Sequence, residues 1–378
     1  MKEHEVIERL RRAFPDSGIG DDTAVLSGLA PLRGSGARGS KGGADLLFAS
    51  DAIVEGVHFR RETSTLSQAI QKLVTSNVSD IYAMGGKPAA ITLSAALAPG
   101  ATTRDLDQII DGLKRSCAAY ETRLAGGDTV SSPDGFFFDV AVVGTVARGR
   151  AVLRSGARTG DRIVLFGEIG RSLAGHAIVS LLAGKRAGKK VPVPAAPIRE
   201  ALEESSELRE AIARLALDTS ERSLAGTARR FDKVPQAAEI LRCAKRHLVP
   251  LASPVGARDA GRGPLELTAM IDVSDGLAKD LRTLCAESGV GAVVHEEDVP
   301  VPGGVAELFG LRGRRLADFA ISSGEEYVLL AAARGKAGRG PRSGTIIGSF
   351  VPAREGIALV DAGGGRRPLP ELGYEHSF

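Results

Sequence analysis

LSQAIQKLVTSNVSDIYAMGGKPAAITLSAALA, residues 66–98, holds two different periodicities in one stretch. Leu66, Ile70, Leu73, Val74, Val78 and Ile81 recur at helical spacing, which predicts an amphipathic helix over 66–83. Residues 90–98, AITLSAALA, read as a strand. The same alternation continues outward. Upstream lie a helix at 3–14, a Gly-Asp-Asp loop, and an apolar strand from Leu46 to Ser50. Downstream, residues 103–122 carry Leu106, Ile110, Leu113 and Cys117 on one helical face, and Phe136–Val146 is rich in aromatic and β-branched residues. A second unit begins near Arg154-Ser155-Gly156, with strand IVLFG and a helix at about 172–183. Strand Leu267–Ile271, helix 277–288, strand 291–295 and the strands EYVLLAAA, GTIIGSF and IALVD complete it. Two domains are expected, 1–150 and 151–378. The charged segment at about 184–240, with its VPVPAAP stretch and helical pattern near 198–216, is read as a helical insertion, and the Gly/Ser-rich 33–43 as a separator.

Composition bounds the class. At 378 residues, with 43% apolar and 25% charged residues, the chain can bury two cores. Abundant glycine, scarce aromatics and no Trp favour a loop-rich α/β or α+β enzyme. A net charge of +3 without a basic stripe argues against nucleic-acid binding. Cys117, Cys243 and Cys285 form no Cys-x-x-Cys pair and are expected as reduced packing residues. MKEHEVIERLRRAF is a charged helix rather than a signal peptide, and no apolar run spans a bilayer, so a cytoplasmic protein with no membrane association is expected.

Chemistry is carried by aspartates that follow small residues: Gly20-Asp21-Asp22, Ser50-Asp51, Ser79-Asp80, Gly127-Asp128 and Asp272-Val273-Ser274-Asp275. Each alone serves equally well as a turn or helix cap. Together they suggest one divalent-cation site, because hard carboxylate oxygens suit Mg²⁺ and such a cluster would repel itself without metal. Asp80 lies within the helix, with Asn77 on the same face, and Gly126-Gly127-Asp128 offers backbone able to approach a phosphate closely. No phosphate loop, Asp-Phe-Gly triplet or Rossmann glycine pattern is present, so metal would have to do much of the phosphate binding.

The ordered strings GIGDDTAVL, SDAIVEGVHF, NVSDIYAMGGKPAAITLSAAL, LAGGDTV, RSGARTGDRIVLFGEIGRSLAGHAI, IDVSDGLAKDL and SSGEEYVLL resemble the thiamine-monophosphate kinase family of the aminoimidazole-ribonucleotide-synthetase-like superfamily. The resemblance covers most of the chain except about 184–240 and 33–43. It implies a two-domain α+β architecture. An amino-terminal sheet with helices would serve ATP/Mg binding and dimerisation, beside a carboxy-terminal α/β sandwich-like domain. It implies transfer from ATP to thiamine monophosphate without a covalent enzyme intermediate, in a homodimer. By position it implies Asp22, Ser50, Asp51, Asp80, Asp128, Asp272 and Asp275 as Mg²⁺ ligands. Gly127, Asp128, Arg154 and Ser274 would contact ATP, and His58, Glu325 and Tyr374 would contact thiamine monophosphate. Two departures stand out: Ala49 replaces a usual hydroxyl residue, and Ser323-Gly324-Glu325-Glu326 replaces Gly-Gly-Glu-Asp. The alternatives are a selenophosphate-synthetase-like or amidine-ligase-like enzyme of the same superfamily, or a non-catalytic nucleotide- or thiamine-phosphate-binding protein.

Overall fold

The helix predicted over 66–83 forms the spine of the molecule in the computed structural model. Residues 3–13, 20–27, 43–184, 194–196, 199–200, 202, 205–216, 219–231, 234, 236–254, 266–335 and 344–374 are described. The Gly/Ser-rich separator and most of VPVPAAP therefore lie outside the described residues.

The amino-terminal half contains α1 (Glu3–Ala13), β1 (Ala24–Leu26), β2 (Ala44–Val54), α2 (Leu66–Ala83), β3 (Lys87–Leu97), α3 (Thr103–Ala119), β4 (Leu124–Ser131) and β5 (Phe137–Ala147). Its five strands form a sheet in the order β1-β2-β5-β3-β4, in which only β3 and β4 run parallel. The carboxy-terminal half contains β6 (Arg162–Phe166), α4 (Arg171–Leu182), α5 (Ser206–Ala213), α6 (Glu221–Ala228) and α7 (Ala237–Leu248). These are followed by β7 (Glu266–Asp272), α8 (Leu277–Ser288), β8 (Val290–His295), α9 (Gly303–Phe309) and α10 (Gly313–Ile321). Strands β9 (Leu329–Arg334), β10 (Thr345–Pro352), β11 (Ile357–Val360) and β12 (Arg366–Pro368) end the chain's order. Its seven strands are arranged β12-β11-β8-β10-β6-β9-β7. The fold is α+β, as expected.

Helix α2 departs from the simple amphipathic expectation. Sixteen of its residues are buried, including Gln68, Gln71, Lys72, Thr75, Asn77 and Ser79. A helix buried on nearly all sides must find a partner for every polar group. Thr65 and Gln68 close a capping box at its start, and the Gln68 amide also donates to the Leu215 carbonyl at 3.0 Å. The Thr75 hydroxyl meets the Tyr120 hydroxyl at 2.7 Å and the Pro250 carbonyl at 3.0 Å. Asn77 accepts from the backbone N–H of Asp51 at 3.2 Å, and Ser79 donates to Asp272 at 2.7 Å. The polar residues of α2 thus tie both sheets and the α5–α7 helices to one element.

Two segments take other conformations than expected. Residues 124–131 form edge strand β4 rather than placing Gly127-Asp128 in a turn or cap, because Gly127 lets β4 lie against β3 where any Cβ would sit 2.0 Å from the Leu93 carbonyl oxygen. The strand expected from Glu326 starts only at Leu329, since Glu325 and Tyr327 have φ of +56° and +47°. No helix among the described residues is long and apolar enough to cross a membrane.

Candidate active site

A cleft of about 1970 Å³ runs between the two sheets and past α2. Single small-molecule pockets span roughly 300–1,000 Å³, so the cleft has room for two ligands. Asp22, Asp80 and Asp272 meet in it, each with a carboxylate oxygen within 4.8 Å of the others. They arrive from the turn before β1, from α2 and from the end of β7, which are remote in sequence.

Asp51 completes the local field. It sits in the middle of β2 rather than at a strand end, and β1 pairs only as far as Phe48, so the Asp51 N–H is left for Asn77. Burial pushes the carboxyl of Asp80 well above the ordinary range, and the neighbouring Asp51, Asp272 and Asp22 add to it. Burial likewise pushes Asp272 up to about 7, reinforced by Asp22. Asp51 and Asp22 are raised for the same first reason, with Ser76 opposing at Asp51 and Arg154 opposing at Asp22. One Asp22 oxygen is buried without a hydrogen-bond partner. Crowded hard oxygens, one of them unsatisfied, fit a divalent cation.

Arg154 spans the junction. Its guanidinium reaches Asp22 at 2.7 Å and the Gly20 carbonyl at 3.1 Å, while its N–H donates to Asp21 at 2.8 Å. Asp21 therefore holds the loop while Asp22 turns into the cluster. Ser274 donates to Asp272 at 3.3 Å, and Asp275 pairs with Lys279 at 2.7 Å. The Gly276 N–H at the start of α8 is taken by the Asp280 carboxylate at 3.0 Å, so this amide is not open to an anion. His58, Glu325 and half-exposed Tyr374 line the same cleft, although His58 accepts the Val54 N–H at 3.1 Å.

Two expected site residues, Gly127 and Asp128, are placed elsewhere within this chain, while a third, Ser50, lines the cleft but turns its hydroxyl away from Asp51. Ser50 alternates to the opposite face of β2 from Asp51 and donates to Asp139 at 2.7 Å. Gly127 and Asp128 lie on exposed edge strand β4 and do not line the cleft. Register explains why: Ala52, Asp139, Ser94 and Asp128 are paired successively across β2, β5, β3 and β4, in one row on the outer face of the sheet.

Sequence reasoning missed Lys72, His247, Asp139 and the role of Glu326. Lys72, Ser76 and Asp80 are spaced i, i+4, i+8 and share the cleft-facing side of α2, a signal present in the sequence. Glu326 is fully buried and accepts from the Gly170 N–H, the Ser172 N–H and the Ser323 hydroxyl at 2.6, 3.0 and 2.7 Å, with Arg246 at 3.2 Å. The departing Ser323 and Glu326 thus satisfy each other and anchor the loop that presents Glu325.

Residues 20–146 match the family model "AIR synthase related protein, N-terminal domain". The chain is 33% identical over 177 residues to the thiamine-monophosphate kinase of Bacillus subtilis, an alignment spanning 47% of this chain and 51% of that protein. It is 27% identical over 378 residues to that of Pyrococcus horikoshii, covering 100% of this chain and 96% of that protein. Among solved structures, the thiamine-monophosphate kinase of Stenotrophomonas maltophilia is 25% identical with a TM-score of 0.63 and 94% coverage of both chains. AaThiL complexed with AMPPCP and TMP shares the fold at a TM-score of 0.71 and 24% identity, covering 100% of this chain and 97% of that one.

Proposed function

We propose that this chain, whose residues 20–146 belong to the AIR-synthase-related family and whose length resembles thiamine-monophosphate kinases, phosphorylates thiamine monophosphate with ATP to give thiamine diphosphate. The observation that carries the proposal is the convergence of Asp22, Asp80 and Asp272 in a cleft large enough for two ligands and lined by His58, Glu325 and Tyr374.

Asp22, Asp80 and Asp272 would hold Mg²⁺, with Asp51 and Asp275 close by. A divalent cation bound there supplies charge neutralisation for the nucleotide's phosphates and for the phosphoryl group in flight. The chain's own residues do the rest. Arg154 fixes the orientation of Asp22, and Ser79 and Ser274 fix Asp272. Glu325 meets the cationic acceptor, and Tyr374 offers an aromatic face to it. The acceptor phosphate is already an anion, so it needs no strong general base, and transfer is direct and in line. Among the described residues no cysteine lines the cleft to act as an intermediate nucleophile. Steady-state formation of thiamine diphosphate from ATP, Mg²⁺ and thiamine monophosphate is the expected result; no product above the protein-free rate defeats the proposal.

The outer face of the amino-terminal sheet supports a homodimer. Phe48, Val54, Val130 and Phe137 are exposed there, and every residue of β4 is exposed. An uncovered apolar sheet with a bare edge strand invites a second copy. Asp128, standing on that face, would then act from the dimer interface. Sedimentation at micromolar protein is expected to give twice the chain mass. Phe137→Lys, which buries a charge in the interface, is expected to yield monomer and lose activity; a monomeric, fully active wild type would refute the arrangement.

A further inference from the structure

Beyond the metal cluster, the cleft holds a second charged group contributed by three separate elements. The Lys72 ammonium, on α2, lies 2.5 Å from one Glu325 oxygen, and the His247 ring, on α7, lies 3.5 Å from the other. Lys72 is nearly buried, with its side chain 10% exposed against 34% for Glu325. The loop bearing Glu325 is tied to the metal cluster, since its N–H donates to the Ser274 carbonyl at 2.6 Å and those of Glu326 and Tyr327 to Val273. A Cβ at Gly324 would lie 2.8 Å from that same Ser274 oxygen, which holds the two loops in close register. Burial and then the Lys72 charge bring His247 down to about 4, so at neutral pH it adds no charge. The group sums to zero: one cation, one anion, one neutral ring.

That sum poses a problem for recognition. A cationic acceptor gains little from a carboxylate already neutralised by lysine, and it is repelled by the lysine itself. Helix geometry offers the resolution. Lys72, Ser76 and Asp80 lie one above another on the cleft side of α2, with about 12 Å of axial rise from Lys72 to Asp80. An acceptor whose ring lies against Glu325 and whose phosphate points to the aspartates passes its phosphate within the sweep of the Lys72 side chain. We propose that Lys72 is a positioning residue that exchanges partners, pairing with Glu325 in the arrangement seen and turning to the acceptor's phosphate on binding, which releases Glu325 to the cationic ring. This exchange rests on the function proposed above. It keeps each charge paired throughout, and it makes the phosphate a condition for productive seating of the ring. Lys72 thereby selects the phosphorylated acceptor over the bare cation.

The test is calorimetric titration of the full chain, near pH 8, with thiamine monophosphate and with thiamine, alongside melting curves and the turnover assay. In wild type, thiamine monophosphate is expected to bind at least about tenfold tighter than thiamine. Lys72→Met is expected to weaken thiamine monophosphate about tenfold and to tighten thiamine, because Glu325 then lacks its cation. Lys72→Arg keeps the wild-type order, and the Lys72→Met gain for thiamine disappears when Glu325→Gln is added. Glu325→Gln alone reads the exchange from the other side: it loses thiamine but binds inorganic phosphate more tightly, so the idea stays testable if Lys72→Met fails to fold. A merely structural lysine would weaken both ligands alike. That result, or unchanged preference in Lys72→Met, overturns the exchange. Failure of the underlying function is separately visible as wild-type chain that binds neither ligand and forms no thiamine diphosphate.

Discussion

Asp80→Asn is expected to lower turnover by at least about 10²–10³-fold while raising the melting temperature of the metal-free protein. Both signs follow from one arrangement. Asp80 lies within 4.8 Å of Asp22 and Asp272, and burial together with Asp51, Asp272 and Asp22 makes its ionised form costly. Asparagine keeps the shape and removes the charge, so the native state without metal is relieved of repulsion. The same change removes an anionic ligand from the proposed cation site. Gain of stability with loss of activity is the expected pattern at a site built from mutually unfavourable groups. Asp105→Asn provides the contrast. The Thr102 hydroxyl, assisted by Arg61, holds the Asp105 carboxyl below the usual range as it closes the capping box of α3. That substitution should lower the melting temperature and leave turnover of the folded protein unchanged. Thermal melts in chelator, paired with thiamine diphosphate assays, distinguish the cases. A metal-free Asp80→Asn protein that is less stable than wild type would refute the repulsive-cluster account, and one with wild-type turnover would remove Asp80 from the site.

How far the sequence revealed this site depended on the kind of signal each residue carries. Alternating helical and strand periodicities set the element order, because apolar spacing survives in any tertiary context. Asp22, Asp80 and Asp272 were legible as a set because each is a carboxylate where local structure alone would be indifferent. What the spacing could not carry was facing. Ser50 and Asp51 are adjacent letters, yet strand alternation sends them to opposite sides of β2. Gly126-Gly127-Asp128 reads as flexible backbone, but Gly127 serves close strand packing against Leu93. Lys72 and Gln68 were passed over for another reason. Polar residues on a helix normally mark its solvated side, and only the packing of the α5–α7 region and the Glu325 loop over α2 turns them into buried, partnered groups. The Ser323–Glu326 departure looked like a disturbance of the acceptor pocket. Its two side chains instead bond each other and the start of α4, so the anchor of the Glu325 loop is complete in itself.

Divalent cations should stabilise the chain more at alkaline than at acidic pH, and binding should release protons. Asp272 is raised by burial and then by Asp22 to about 7, and Asp22, Asp51 and Asp80 are raised as well. An unfolded Asp ionises near 3.8. Between that pH and about 7 the native state therefore binds more protons than the unfolded state, so the cluster's contribution to stability falls as pH rises through the window. Below it both states are protonated and the cluster contributes no slope. Above about 7 Asp272 is ionised in both states, and its repulsion with the neighbouring native carboxylates remains. A cation that occupies the cluster must displace the protons retained there, and fewer are retained as pH rises through about 7, where Asp272 ionises. Melting curves with and without millimolar Mg²⁺ should thus separate by only a small interval at about pH 5.5 and by a larger one at about pH 8. Calorimetry in buffers of different ionisation enthalpy should register proton release at the lower pH that fades at the higher. In Asp80→Asn the Mg²⁺-dependent interval should shrink at both. The carboxylates of Asp111 and Asp105, held low by their own partners, stay ionised throughout this range and cannot imitate the effect. A stabilisation by Mg²⁺ that is independent of pH, with no proton release, would place the cation elsewhere on the molecule.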